Sequence, residues 1–254
     1  MRKSNLLVFC MVFFCSVMLK GAEGGYTNFI PGFYGDFGLG VEPDSNFLVK
    51  YDYYNYSADA NRSVRSGSLE LGIDLEVQIN FLTVYYKPEL EFFDAQYATA
   101  ITFAYTQISL DSSALGGGTA LSNRETNSRL GDLTIAPIIL YWKQNNFNIS
   151  FTEYIVIPTA NYDTEKVLNT GLNYWSFDTN LGVTYLNEET GQDYSINIGH
   201  IYNTENSDTH YKSGQEFHLH FIANQFLSEK FAIGAQAFYY KQITGDSGSG
   251  ALLG

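Results

Sequence analysis

Hydrophobic and polar residues alternate without a fault from Leu69 to Phe81: Leu69, Leu71, Ile73, Leu75, Val77, Ile79 and Phe81 against Glu70, Gly72, Asp74, Glu76, Gln78 and Asn80. At roughly half apolar composition, thirteen such positions arise by chance about once in several thousand tries. A helix would spread both sets around its surface, whereas a strand puts all seven apolar side chains on one face. The other face carries three carboxylates, which fits water and not a packed core. The expectation is that the odd row, with Ile73, meets lipid and the even row, with Asp74, faces a wet lumen.

The same period predicts nine strands, at 47–57, 68–86, 96–108, 132–143, 147–157, 174–187, 194–203, 216–226 and 231–243. The clearest repeats are Phe147, Ile149 and Phe151 against Asn148, Ser150 and Thr152, and Phe217, Leu219 and Phe221 against Glu216, His218 and His220. Pro137 falls in mid-strand and removes a ladder donor, so a bulge is expected there. Connections near 87–95, 144–146, 188–193 and 227–230 are short; those near 58–67, 109–131, 158–173 and 204–215 are longer and rich in Gly, Ser, Asn and Thr. Short turns on one side and long loops on the other are the pattern of an outer-membrane barrel, the short side being periplasmic. The mature N-terminus is expected on that short-turn side. Tyr53, Tyr54 and Tyr56, Tyr85 and Tyr86, Tyr141 and Trp142, Tyr174, Trp175 and Phe177, and Phe238, Tyr239 and Tyr240 cluster at strand ends. Aromatic girdles at the two interfaces explain that placement. A soluble sandwich or lipocalin-like barrel would produce the same period by cross-strand packing.

The first residues set the compartment. Arg2 and Lys3 precede an apolar stretch from Leu6 to Leu19, followed by Gly21 and Ala22. This is the pattern of a cleaved signal peptide over residues 1–22, too short for a spanning helix of about 20 apolar residues. Both cysteines, Cys10 and Cys15, lie within it. The mature chain then has no thiol, and its stability must come from ladders and burial. It carries 11 basic against 27 acidic residues, a net of −16, which argues against nucleic acid as a partner. A further crossing of the membrane must be made by a closed barrel, because an open sheet leaves its edge groups unpaired in lipid. The expected organisation is a signal peptide (1–22), a periplasmic leader or lumen plug rich in Gly and aromatics (23–45), and the barrel (46–254). Nine strands is an odd count, and bacterial single-chain barrels normally have an even one. The chain is therefore expected to continue beyond Gly254.

From Gly131 onward the sequence resembles the family named for the MetA pathway of phenol degradation, outer-membrane transport proteins found near aromatic-catabolism genes. The residues that carry the resemblance are Gly131-Asp132-Leu133 with Pro137; Tyr154 and Pro158-Thr159 before Tyr162-Asp163; Asn173-Tyr174-Trp175 with Phe177-Asp178; Val183-Thr184-Tyr185; Asn203-Thr204-Glu205-Asn206; Tyr211-Lys212-Ser213-Gly214 with Glu216-Phe217-His218; and Asp246-Ser247-Gly248-Ser249-Gly250-Ala251. His220 departs from the pattern, standing where an acidic residue is expected. The resemblance implies an all-β, antiparallel up-and-down transmembrane barrel of about twelve strands, nine of them present here. It also implies uptake of hydrophobic or aromatic compounds, and it brings no catalytic residues.

Three groups of residues carry chemistry that the fold class alone does not explain. Gly245-Asp246-Ser247-Gly248 looks like the nucleophile loop of chymotrypsin-like proteases, but a triad also needs a histidine base held by a carboxylate. An extracellular loop is the expectation. Glu216, His218 and His220 at spacing two share the polar face of one strand and so line the lumen near its outer half. A lumen row held by hydrogen bonds is expected there, rather than a metal centre or a proton shuttle. His200 alternates onto the apolar side near a strand end. Glu188, Glu189, Glu205 and Asp208 match no Ca²⁺ loop and are read as solvated charge.

The reading is an outer-membrane channel of a Gram-negative bacterium for passive uptake of small hydrophobic or aromatic compounds. Tyr174, Asp178, Glu216, His218, His220 and Tyr240 are the candidate lumen or solute contacts. No catalytic, cofactor or metal residue is expected. The expected partners are the bilayer and outer-leaflet lipopolysaccharide, a small apolar solute and the barrel-insertion machinery. The rivals are a barrel enzyme acting on lipids and a structural or surface-recognition barrel without a pore.

Overall fold

The computed structural model describes residues 23, 27–35, 37–64, 69–116, 119–228 and 231–253; the expected signal peptide and Gly254 lie outside the described residues. Thirteen strands are present among the described residues: β1 (Phe47–Val64), β2 (Leu69–Tyr86), β3 (Glu91–Phe92), β4 (Ala95–Gly116), β5 (Thr119–Leu130), β6 (Leu133–Gln144), β7 (Phe147–Ile157), β8 (Ser176–Asn187), β9 (Gln192–Asn203), β10 (Glu205–Asn206), β11 (Tyr211–Lys212), β12 (Glu216–Ser228) and β13 (Phe231–Gln242). Nine of them form one path, β1-β2-β4-β6-β7-β8-β9-β12-β13, antiparallel throughout. These are the nine predicted strands, and the sheet they form is curled into a half-barrel.

Two predicted loops are strands instead. Residues 58–64 extend β1, and β5 occupies most of 109–131, pairing with the far half of β4 from Tyr105↔Leu130 to Gly116↔Thr119. Serines, asparagines and threonines read as loop formers because they solvate well, but a strand standing in water needs the same residues. At ~3.3 Å per residue β4 and β2 are roughly 70 and 60 Å long, well beyond an apolar band of about 25 Å. Their long-loop halves therefore project past that band.

The bulge at Pro137 is present. Ala98 and Ala100 pair with Ile139 and Ala136, so two residues of β6 oppose one of β4, and the ladder to β7 shifts at the same place. Thr99 Oγ1 donates to the Ala136 carbonyl (2.9 Å) and Tyr97 Oη to that of Pro137 (2.7 Å), partnering the two carbonyls beside the bulge. The extra residue also reverses parity. Thr134 and Ala136 face inward before it, Ile139 and Tyr141 after it.

On β7, β8, β9 and β12 the polar row faces the concave side, as predicted. Asn148, Ser150 and Thr152 are buried, as are Glu216, His218 and His220, while Phe147 and Phe221 lie on the exposed side. His200 is on the outward face near a strand end, 2.9 Å from Gln215 Oε1. On β2 the prediction is reversed. Phe81 is buried against Phe33 with ring centroids 4.6 Å apart, Tyr85 is buried in a small core with Ala98, Ala136 and Ile139, and Leu82 and Tyr86 are exposed. The ladders of β2 with β1 and β4 run without a shift, so Ile73 shares the inward face of Phe81 and Asp74 the outward face of Leu82. The outward row is polar from Asp74 to Asn80 and apolar only at Leu82, Val84 and Tyr86. That change marks where water ends and the apolar band begins.

The girdle clusters divide in the same way. Tyr53, Tyr86, Trp175 and Tyr239 are exposed, whereas Tyr85, Tyr174 and Tyr240 are buried.

Candidate functional site

The concave face has two unlike walls. Alternate residues of β8, β9 and β12 build a polar wall in which Ser176, Asp178, Asn180, Thr184, Asp193, Ser195, Asn203, Glu216, His218 and His220 are all buried. Buried polar groups persist only when they are paired, and here many of the partners come from the segment ahead of β1. The described residues from 27 to 43 run along this wall from its long-loop end to its short-turn end. Thr27 Oγ1 donates to Glu216 Oε2 in a very short hydrogen bond, and Asn28 Nδ2 donates to Ser176 Oγ (2.6 Å). Tyr34 Oη donates to Asp178 Oδ2 (2.5 Å). Lower down, the amides of Gly38, Leu39 and Gly40 donate to Asp193 (3.0 Å), Ser195 (3.3 Å) and Thr184 (2.8 Å). At the short-turn end Lys87 Nζ holds Glu42 Oε1 (2.6 Å) and the Pro43 carbonyl (2.7 Å).

Residue 23 therefore lies at the long-loop end, its amide donating to Ser213 Oγ (3.1 Å) and its carboxylate accepting from Asn206 (3.1 Å). This corrects the expectation for the N-terminal side: β1 starts at the short turns, but the chain reaches it by passing through the lumen. Two glycines permit the close fit. A Cβ on Gly40 would stand 2.7 Å from the Asn148 carbonyl, and one on Gly182 would stand 2.8 Å from that of Leu39.

The six residues singled out in the sequence are brought together. His218 Nε2 is 2.9 Å from Asp178 Oδ1, and Glu216 accepts from Asn203 Nδ2 (2.7 Å) and Tyr240 Oη (2.9 Å). Tyr174 is buried just ahead of β8. Phe29 lies over this cluster, with ring centroids 5.0–5.3 Å from Tyr240, His218 and His220. What the group contacts in this structure is the N-terminal segment. Gly199 makes room for His218, whose ring would be 2.0 Å from an added Cβ.

The His218–Asp178 pair resembles a base and its orienting carboxylate, but a triad also needs a nucleophile on the other ring nitrogen. Among the described residues His218 Nδ1 has no hydrogen-bond partner, nor has His220 Nε2. Ser247 stands elsewhere, its backbone paired with Lys212 in the long-loop layer (2.8 and 2.9 Å). Glu205 and Asp208 hold neighbouring loop residues, His210 Nδ1 (3.1 Å) and Asn173 Nδ2 (3.0 Å). No three His, Cys, Asp or Glu among the described residues converge as metal ligands.

The opposite wall, from β1 to β6 with Tyr154 and Val156 at the long-loop end of β7, is mainly apolar and aromatic. Between it and the N-terminal segment lies a cavity of about 360 Å³, lined chiefly by Phe33, Phe81, Tyr85, Ile139, Tyr141 and Tyr154. Its polar groups include Lys50, Thr134 and the hydrogen-bonded pair Thr83 and Thr102 (2.8 Å) on this side, and Ser150, Thr152, Ser176, Asp178, Asn180 and Asn197 on the side of the polar wall. Sequence reasoning read Tyr85 and Tyr141 as girdle residues and missed Phe29, Phe33 and Tyr34 as part of the site. The signal for those three was the run of Gly and aromatics from 24 to 43, which carries no strand period and so no partner assignment.

The Gly131-Asp132-Leu133 motif holds the rim. Asp132 accepts the amides of Ala160 (2.9 Å) and Leu172 (2.8 Å), fastening the loop after β7 at two points. Burial holds its carboxyl above the ordinary range, and the surrounding backbone amides draw it partly back. Asp132→Ala should leave both amides unpaired, at about 1–3 kcal/mol each. Hydrogen exchange at Ala160 and Leu172 should then speed up tenfold or more, while the amides of β8 keep their rates. Unchanged exchange at the two loop amides would show that Asp132 does not hold the loop.

The sequence profile of the family described as "Putative MetA-pathway of phenol degradation" matches residues 55–254. Four solved chains match this one. Among them is the COG4313 outer membrane channel from Pseudomonas putida F1, with a TM-score of 0.55 at 17% identity over 83% of this chain and 80% of that one. That likeness shows the fold: an antiparallel β-barrel. No curated protein sequence matches the chain.

Proposed function

Because this chain belongs to the MetA-pathway phenol-degradation family, we propose that it is an outer-membrane channel through which small hydrophobic or aromatic solutes pass passively. The observation that carries this reading is the two-walled lumen. The described residues from 27 to 43 pair with much of the polar wall. The space left open is a cavity whose β1-to-β6 side is mainly aromatic and apolar, with Ser150, Asp178, Asn180 and Asn197 of the polar wall at its other side. Outer-leaflet sugars block apolar solutes, and a protein path through that layer must offer apolar surface. Tyr and Phe supply flat contact with a polar tip. In this reading the short turns are periplasmic, the long hairpins are extracellular, and the described residues from 27 to 43 are a lumen plug. The solved channel of Pseudomonas putida F1, a protein of the same fold, supports the outer membrane as the location.

The reading is non-enzymatic. The buried imidazole–carboxylate pair anchors Tyr34 instead of activating a nucleophile. The test is uptake by cells with an intact lipopolysaccharide layer. Expression of the full-length protein should raise the entry rate of a labelled single-ring hydrocarbon several-fold and leave that of a charged solute of similar size unchanged. Equal rates with and without the protein would sink the channel reading. Phospholipid cleavage by the purified protein, lost in His218→Ala, would establish the enzyme reading instead.

A further inference from the structure

The apolar wall does not stop at the cavity. From Phe81 the inward row of β2 continues toward the long-loop end through Ile79, Val77, Leu75, Ile73 and Leu71, with no register shift against β1 or β4. Leu71 and Ile73 are 40% and 49% exposed. At the same height the outward row is Asp74, Glu76, Gln78 and Asn80, so this half of the hairpin stands in water on its outer side. A strand with both sides in water has no structural reason to keep one side apolar. Neighbouring strands widen the strip: Tyr54 and Tyr56 of β1 oppose Ile79 and Val77, and Leu110 of β4 opposes Leu75, while Ile108, opposite Val77, is buried.

We propose that this strip is the entry track of the channel, on which a neutral apolar solute of one or two rings is captured outside the membrane and led to the cavity at Phe81. The proposal rests on the channel reading and adds where the solute enters and which solutes qualify. Continuity carries it, since Phe81 both ends the row and packs on Phe33 at the cavity wall. Size selects the occupant. The strip is three strands wide and about eight residues long, roughly 10 by 26 Å, a few hundred Å² against about 800 Å² per partner in a stable protein interface. It suits small solutes and not a second protein. Between Ile73 and Ile79 neither this row nor the residues opposite it on β1 and β4 carry a charge; Asp52 stands opposite Phe81 at the inner end, where it is paired with Lys50. That uncharged stretch selects against ionised compounds, whose water shell nothing on it would replace.

The test measures entry of the labelled hydrocarbon at a concentration far below saturation, in lipopolysaccharide-bearing cells carrying the full-length protein. Ile73→Asp with Val77→Asp should lower entry tenfold or more. Val77→Thr, which keeps the shape of the side chain, should lower it several-fold. Asp74→Asn with Gln78→Thr, on the opposite face of the same strand, should leave it unchanged. Heat-modifiable migration on a gel reports whether each variant is folded, and Val77→Thr decides the matter if the double aspartate is not. Wild-type entry together with undiminished entry in the folded inward-face variants overturns the track and leaves the channel standing. An equal loss from the outward-face change overturns it too. No entry with the wild type overturns both.

Discussion

Ile198→Arg is expected to destabilise the barrel by about 2–4 kcal/mol, the cost of a basic side chain facing lipid at the bilayer midplane. Ile198 sits at the middle of a twelve-residue strand, on the outward face, with Leu181 directly opposite on one side and Leu219 on the other. It has strand neighbours on both sides, so an arginine there is held at that depth. His200 is two residues nearer the long-loop end on the same face. His200→Arg should cost about 0–1 kcal/mol, because the penalty falls toward the interface. The measurement is urea-dependent folding of the full-length protein into phospholipid vesicles. The contrast between the two positions is what matters. On the surface of a soluble sandwich both changes would lie within about 0.5 kcal/mol of wild type, and that result would refute the membrane assignment of this face.

Asp178→Leu is expected to release the N-terminal segment. The carboxylate receives Tyr34 Oη on one oxygen (2.5 Å) and His218 Nε2 on the other (2.9 Å), and it is buried. A leucine leaves two buried groups without their partner, at about 1–3 kcal/mol each. The hydrogen bonds at Asp193, Ser195, Thr184 and Lys87 keep the lower half in place and those of Thr27 and Asn28 remain at the long-loop end, so the stretch around Tyr34 should loosen first. A cysteine at Ile30 is a clean reporter, since Cys10 and Cys15 both lie in the expected signal segment. Its reaction with a water-soluble thiol reagent should rise at least tenfold in Asp178→Leu, and the single-channel conductance should rise with it. Asp178→Asn retains one acceptor oxygen and should fall between. Labelling and conductance identical to wild type in the leucine variant would mean that Asp178 does not hold the segment in the lumen.

Much of the architecture was legible from periodicity. Nine strands, the short turns between them and the bulge at Pro137 follow from local rules, because a period of two and a missing N–H act on the strand that contains them. Glu216, His218 and His220 share one buried face of β12 for the same reason. Residues two apart on a regular strand share a face, and on β12 the other face carries Phe217, Leu219 and Phe221. Asn145 is a local matter as well, since the left-handed φ of 54° in the turn between β6 and β7 is one that Asn tolerates.

Alternation sorts side chains onto two faces without saying what each face meets, and there only the tertiary structure decided. On β2 the apolar row looked like the lipid side, yet the curvature of the sheet turns Phe81 and Tyr85 inward. The outward row shows its meaning only when Asp74 and Glu76 are seen to stand above the apolar band and Leu82 and Val84 within it. The partners of Asp178 and His218 were beyond sequence reasoning for a related reason. Tyr34 is 144 residues from Asp178 and 184 from His218, in a stretch with no period to give it a face. What brings them together is the lumen itself: a polar wall closed off from water must find donors and acceptors, and the segment threaded through it supplies them.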